Sequence, residues 1–373
     1  MIQNILDAAV AAGDVAGVAA AVTGPEGTRW QGQAGVTVKG GGQPVDENTI
    51  FWIASMTKPI TSVAAMQLVE QGKLALDAPL GDLLPFLAKP QILEDGKLRP
   101  ATKPVTLRHL LTHTAGFSYD FASAEYVEHY KANPEKARRG KRSWLEMPLL
   151  FEPGKRWEYG INTDWVGQAV EAASGMPLDA YFNAHILGPL GMHDTSFVPS
   201  AALDERRTAV HQRLADGTLA PAPITPVTRG EFLSGGGGLY STLADYQKFL
   251  RMFLSGGAGI ISPETIAEMS RNQIGALRAG YIPSANPELM TGADMNPGQE
   301  SKWGLGFLIY PEKGMFGRNA GSIGWAGLAN TYFWIDPVLN QAAIILMQTL
   351  PSGDPGAIKT LCGFEAAIYA AEG

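Results

Sequence analysis

Ser55 and Lys58 stand three residues apart in "FWIASMTKPI", residues 51–60. If a helix begins there, positions i and i+3 share a face and the hydroxyl can meet the amine. A serine hydroxyl is a weak nucleophile until a neighbour takes its proton. A lysine can do so once burial or a cationic neighbour favours its neutral form. The same spacing also suits an ordinary helix start, with Ser55 as cap, Lys58 in solvent and Pro59 in the first turn. Two further segments carry related chemistry. In "FEPGKRWEYGINTDWVG" (151–167) Tyr159 follows a Pro-Gly turn and precedes a helical pattern. Beside a lysine its phenolate is favoured and can serve as base; a packing tyrosine would look the same. In "GSIGWAGLANTYFWIDP" (321–337) the small residues around Trp325 let a strand approach a ligand and present a backbone N–H to an oxyanion, or simply mark a bulge.

The elements that must position these residues are legible at both chain ends. Ile2, Ile5, Leu6, Ala9 and Val10 recur at helical spacing, predicting an amphipathic helix over residues 2–12. Val18–Val22 and Trp30–Val36 read as strands joined by the turn Pro25-Glu26-Gly27. A helix is expected from Ser55 to Gln71, stopped by Gly72. Near the other end, "WGLGFLIY", "NTYFWID" and "QAAIILMQ" are short β-rich runs, and Asp354–Ala371 reads as a closing helix. Strand and helix do not alternate strictly, which disfavours a Rossmann sheet and points to an antiparallel sheet built from both ends. The expected domains are therefore residues 1–85 with 296–373, and a mainly helical unit over 86–295.

The 373 residues are 45% hydrophobic and 17% charged, as in a globular protein with a large core. A net charge of -7 argues against nonspecific binding to nucleic acid or anionic membrane. No run reaches the roughly 18 apolar residues of a membrane helix. The N-terminal stretch has no basic n-region and is interrupted by Asp7 and Asp14, so a cytoplasmic protein is expected. The single cysteine, Cys362, excludes an internal disulfide and reads as core packing. The cluster Arg138-Arg139-Gly140-Lys141-Arg142, with Tyr119, Phe121, Tyr126 and Tyr130 nearby, reads as a solvated loop rather than a substrate lid. Residues 276–300 form a long loop of the sort that often binds ligands. His109 and His113 in "HLLTH" have the spacing of a zinc pair but lack the glutamate of His-Glu-x-x-His, so helix packing is expected. There is no Gly-x-Ser-x-Gly. The Gly235–Gly238 run lacks the Gly-Lys-Ser/Thr of a phosphate loop, so close backbone packing beside the active site is expected, before a helix capped by Ser241 or Thr242.

Taken in order, the three segments resemble the serine β-lactamase and penicillin-binding-protein superfamily, above all its class C branch and the β-lactamase-like family VIII carboxylesterases. "TLRHLLTHTAGF" (106–117), "PLGMHDTSF" (189–197) and "GGGGLYST" (235–242) extend the resemblance over nearly the whole chain. It implies an α/β fold of the α+β, β-lactamase/transpeptidase type: an antiparallel sheet flanked by helices plus a mainly helical domain. Ser55 then matches the nucleophile, Lys58 its activating lysine, and Tyr159 the tyrosine that shares the base role and protonates the leaving group. The backbone N–H groups of Ser55 and Leu328 match the oxyanion hole. Trp325-Ala326-Gly327 takes the place of the third motif, and Tyr119 and Gly237 join the expected substrate-binding set. Two departures bear on the substrate. Ile161 stands where β-lactamases carry asparagine, with Asn162 one place late, and Trp325 replaces the lysine that receives the lactam carboxylate. The expectation is a neutral small-molecule ester cleaved through an acyl-enzyme, without metal or organic cofactor. An acyltransferase, a β-lactamase or D-amino-acid peptidase, and a non-catalytic binding protein are the alternatives.

Overall fold

The computed structural model describes residues 2–137, 139–222 and 230–370. Arg138 of the basic cluster and Ala371, the expected end of the closing helix, lie outside them. The chain opens with helix α1 (Ile2–Ala11) and the hairpin β1 (Gly17–Gly24) and β2 (Gly27–Gly35). Its last third supplies β3 (Lys302–Trp303), β4 (Leu308–Tyr310), β5 (Ser322–Gly327), β6 (Thr331–Asp336) and β7 (Gln341–Leu346). The seven strands form one antiparallel sheet in the order β3-β4-β5-β6-β7-β1-β2. The two chain ends meet where β1 pairs with β7, Ala19 opposite Leu346. The α+β, β-lactamase/transpeptidase-type fold is the one the sequence implies.

Both faces of this sheet are covered, which is why "AAIIL" (342–346) is a continuous apolar run rather than an alternating one. Val18, Ala20, Tyr332, Trp334 and Ile345 pack toward α1 and the C-terminal helix, Pro355–Ala370. Ala19, Ala21, Phe333 and Ile344 face the larger core on the opposite side. There lies α2 (Thr57–Glu70), a helix buried on nearly every side from Thr57 to Leu68, so that its polar residues Lys58, Thr61 and Gln67 are buried with the apolar ones and find partners inside the fold. Helix α3 (Leu107–Leu111) packs on α4 (Asn162–Ser174), which packs on α2, and α5 (Leu243–Leu254) packs on β1 and β7; the closing helix is α6. Thr242, one of the two expected caps, accepts the Asp245 N–H at the start of α5. Between these helices the chain adds short strand pairs, such as Gln91–Glu94 with Lys97–Pro100, too brief to leave a periodic signal. The long loop 276–300 likewise contains one pair, Tyr281–Ile282 with Ala293–Asp294.

Candidate active site

Ser55 sits in a single 3-10 turn, Ala54–Met56, just ahead of α2. The ordinary-cap reading is not realised: the turn and α2 both begin without a side-chain cap. The turn is tied down instead. Ile53 N–H donates to Leu239 O at 3.1 Å, and the Thr57 hydroxyl donates to Ala54 O at 2.7 Å while accepting the Leu239 N–H at 3.0 Å. Ala54, buried, is held in the left-handed region at φ 44°, a conformation that costs a non-glycine residue on the order of 1 kcal/mol. Ser55 itself remains partly exposed on the wall of a cavity of about 170 Å³.

One turn on, Lys58 is fully buried. Its Nζ donates to Ser55 Oγ (3.1 Å), Tyr119 Oη (3.0 Å) and Gly236 O (2.6 Å), and lies 4.6 Å from the centre of the Tyr159 ring. Burial lowers its pKa to about 7, against the opposing pull of the Asp164 carboxylate. Neutral Lys58 can still donate to Gly236 O and Tyr119 Oη, which leaves its lone pair for the Ser55 proton. Asp164, on the first turn of α4, is pushed up by burial and pulled back by Lys58, by the Ser234 hydroxyl (2.6 Å) and by the Gly236 N–H (3.1 Å). That last pair of bonds fixes the glycine run. A Cβ on Gly236 would come within 2.4 Å of the Asp164 carboxylate, so close backbone packing is what the run is for.

Tyr159 is held from below and behind. Gly160 lies so close to Phe117 that a Cβ would approach its carbonyl to 2.4 Å. His113, just past α3 at φ 56°, packs its ring 4.8 Å from that of Tyr159. Its Nδ1 accepts from Gly160 N (3.4 Å) and Asn162 Nδ2 (3.0 Å), which requires the Nε2–H tautomer. Burial, then Lys58, drives the His113 pKa well down, so the ring stays neutral. The Trp325 indole N–H donates to Tyr159 Oη at 3.2 Å, and Trp303 packs edge-on to both Trp325 and His113. Burial raises the Tyr159 pKa, with the Ser55 hydroxyl and the Trp325 N–H pulling it back. The expected lysine-favoured phenolate is thus not what the site holds: Lys58 lies over the ring, not at the hydroxyl, and Tyr159 is a protonated phenol at neutral pH.

Strand β5 reaches the nucleophile through Gly327, whose Cβ would stand 2.4 Å from Ile53 O and 2.2 Å from Thr331 Oγ1. Leu328, the next residue, borders the cavity beside Ser55, as do Tyr119 and Gly237. Ala326 is a correction. Strand alternation turns it to the other face of the sheet, where it lines a different cavity. Trp325 and Gly327, expected in the substrate-binding set, do not border this cavity either; the Trp325 indole is buried against Tyr159. Asn162, one place late, is spent on His113. The expected packing role of "HLLTH" divides: His109 completes a capping box with Thr106, whereas His113 underlies Tyr159. The basic cluster reaches the cavity wall with Arg139 and Gly140, as the lid reading has it, and Arg139 pairs with Asp120 at 2.9 Å. Residues 276–300 do not line this cavity. Asp164, His113 and Ser234 were missed by motif spacing. The one signal for Asp164 was its place five residues after Tyr159, inside the same segment.

The remaining wall is aromatic: Trp52, Phe121, Trp144, Phe197 and Phe232. Among the described residues no group of histidines, cysteines and carboxylates could hold a metal ion, and no helix is long and apolar enough to cross a membrane.

A transpeptidase-type sheet whose edge meets a buried Ser-x-x-Lys turn defines a class, and comparison with known proteins agrees. The Beta-lactamase family model matches residues 2–366, and the chain belongs to that family. It is 32% identical to the monacolin J acid methylbutanoyltransferase of Aspergillus terreus, over 88% of this chain and 83% of that one. It is also 32% identical to the lovastatin esterase of Penicillium rubens, over 83% and 82% respectively. The unliganded simvastatin synthase structure from Aspergillus terreus superposes with a TM-score of 0.86 at 28% identity, covering 99% of this chain and 97% of that one.

Proposed function

We propose that this protein is a serine carboxylesterase acting on neutral, hydrophobic esters through an acyl-enzyme. The observation that carries the reading is the buried Lys58, bonded to Ser55 Oγ and poised near pH 7. Lys58 takes the Ser55 proton as Oγ attacks the ester carbonyl. The oxyanion is received by the N–H groups of Ser55 and Leu328. As the tetrahedral intermediate collapses, Tyr159 gives its proton to the departing alkoxide. In the second half the Tyr159 phenolate takes the proton of the water that attacks the acyl-enzyme, and Lys58 returns its proton to Ser55 Oγ as the acid leaves. A neutral substrate is favoured by the wall: among the described residues that line it the one cation, Arg139, is already paired with Asp120, and the other side chains are mainly aromatic.

A second reading, transfer of the acyl group to an alcohol other than water, is favoured by the relative named as a methylbutanoyltransferase. It uses the same acyl-enzyme. Aryl esters of graded acyl length, tested with and without added alcohol, separate the two by their products. Ser55→Ala should abolish turnover and labelling by a serine-reactive phosphonate while leaving the circular dichroism unchanged. Retention of a tenth of wild-type turnover, a loss well short of the roughly 10²-fold or more that such machinery typically contributes, would place the nucleophile elsewhere.

A further inference from the structure

Behind the sheet, on the side away from Ser55, lies a separate cavity of about 370 Å³ between β5, β6, helix α6 and residues 293–299 and 314–318. It shares no lining residue with the catalytic cavity. Its walls include Met295, Tyr310, Phe316, Tyr332, Trp334 and Leu361, and Met315, 79% exposed, stands at its rim. Into this apolar space the fold places a charged group that the catalytic chemistry does not use. Arg318 is only 7% exposed. Its guanidinium is sandwiched between the rings of Tyr310 (4.5 Å) and Trp334 (4.4 Å). Nη2 pairs with the buried Glu365 at 2.7 Å. Its Nε–H has no acceptor among the described residues.

A buried N–H without an acceptor is costly, the more so on a charged group. The charge of the Arg318–Glu365 pair is already balanced. An anionic ligand would set a second negative charge beside Glu365 in a low-dielectric space. A neutral carbonyl oxygen would satisfy the N–H and add no charge. We propose that this cavity is a second ligand site, taking a neutral, largely apolar molecule whose carbonyl oxygen accepts from Arg318 Nε. The site is independent of the ester chemistry proposed above. It approaches the catalytic residues through β5: Trp325 and Ala326 both border it, the side chain of Ala326 packing on this face and the indole of Trp325 reaching Tyr159 on the other.

The chain supplies its own reporter. Cys362 is the single cysteine and lines this cavity. The test measures alkylation of Cys362 by N-ethylmaleimide while the neutral ketone dye prodan is titrated to its solubility limit. Alkylation should slow saturably, to roughly one-tenth of its rate at about ten times the fitted Kd, since protection follows 1 + [L]/Kd. The anionic dye anilinonaphthalene sulfonate should protect several-fold less at equal concentration. Leu361→Trp, which fills the cavity, should abolish protection by prodan. Arg318→Met combined with Glu365→Leu removes the anchor without leaving a lone buried charge and should weaken prodan about tenfold. If that double variant fails to fold, Leu361→Trp still decides. No protection by prodan, equal protection by the anionic dye, or protection that survives Leu361→Trp each overturns the proposal.

Discussion

Burial holds the Lys58 ammonium down to about pH 7, and this dictates how the site responds to pH. The base must be deprotonated, so kcat/KM for a neutral ester should fall about tenfold per unit below pH 7 and level off above it. Tyr159, raised by burial, should impose no loss at moderately alkaline pH. The Asp164 carboxylate pulls the Lys58 pKa upward. Asp164→Asn should therefore move the acidic limb to lower pH, besides reducing the plateau; an unmoved or alkaline-shifted limb would mean that another group is the base. The same shift has a stability cost. The folded-state pKa lies below the ordinary lysine value of 10.5, so folding expels a proton. The penalty is full below pH 7, fades as pH rises toward 10.5, and amounts to about 4–5 kcal/mol at most. Lys58→Met should accordingly raise Tm at pH 6 and 7, less whatever the Gly236 and Tyr119 oxygens lose, and the gain should shrink by pH 10. A Tm difference independent of pH would show that Lys58 is not held neutral.

At the scale of elements, the site depends on one strand end and one turn being nearly in van der Waals contact. Gly327 permits this, since a Cβ there would meet the Ile53 and Thr331 oxygens within 2.4 Å. Gly327→Ala must push β5 away from the Ser55 turn, taking Leu328 with it. The loss expected in kcat is about 10²–10³-fold, the range seen when one oxyanion donor is misplaced. Thermal stability should fall far less in proportion. Gly41→Ala, at a position open to solvent, is the control and should change neither. A Gly327→Ala enzyme with kcat within threefold of wild type would remove β5 from the oxyanion hole. Gly160 packs as tightly against Phe117, and for the same reason Tyr159 has little freedom to move.

For the molecule as a whole, the fold and family leave both esters and lactams conceivable, and the distribution of charge separates them. A lactam antibiotic brings a carboxylate into the cavity. Trp325, standing at the position of the β-lactamase lysine, is an uncharged indole committed to Tyr159, and Arg139 is committed to Asp120. An unpaired carboxylate would lose its hydration without an ion pair in return. Wild-type enzyme should therefore turn over p-nitrophenyl butyrate with a kcat/KM at least about 10²-fold above that for nitrocefin, a difference of some 2.7 kcal/mol in transition-state binding. Comparable values for the two substrates would overturn the assignment to esters.

The sequence by itself determined the strands of the terminal sheet, the helix after Ser55 and the order of the three motifs. These are local properties: apolar runs, turn residues and an i, i+3 spacing leave their mark within a dozen residues. It could not determine what each motif residue faces. Ala326 shares its motif with Trp325 yet its side chain packs on the other side of the sheet, because adjacent strand residues point to opposite faces. Tyr119 and Tyr159 were both visible as candidates, but only packing decided that Lys58 bonds the hydroxyl of the first and covers the ring of the second. His113 comes to Tyr159, and Asp164 and Gly236 to Lys58, from elements far apart in the chain. Whether the lysine is a base or an ordinary surface charge depends on how completely those elements exclude water, and that is a property of tertiary packing alone.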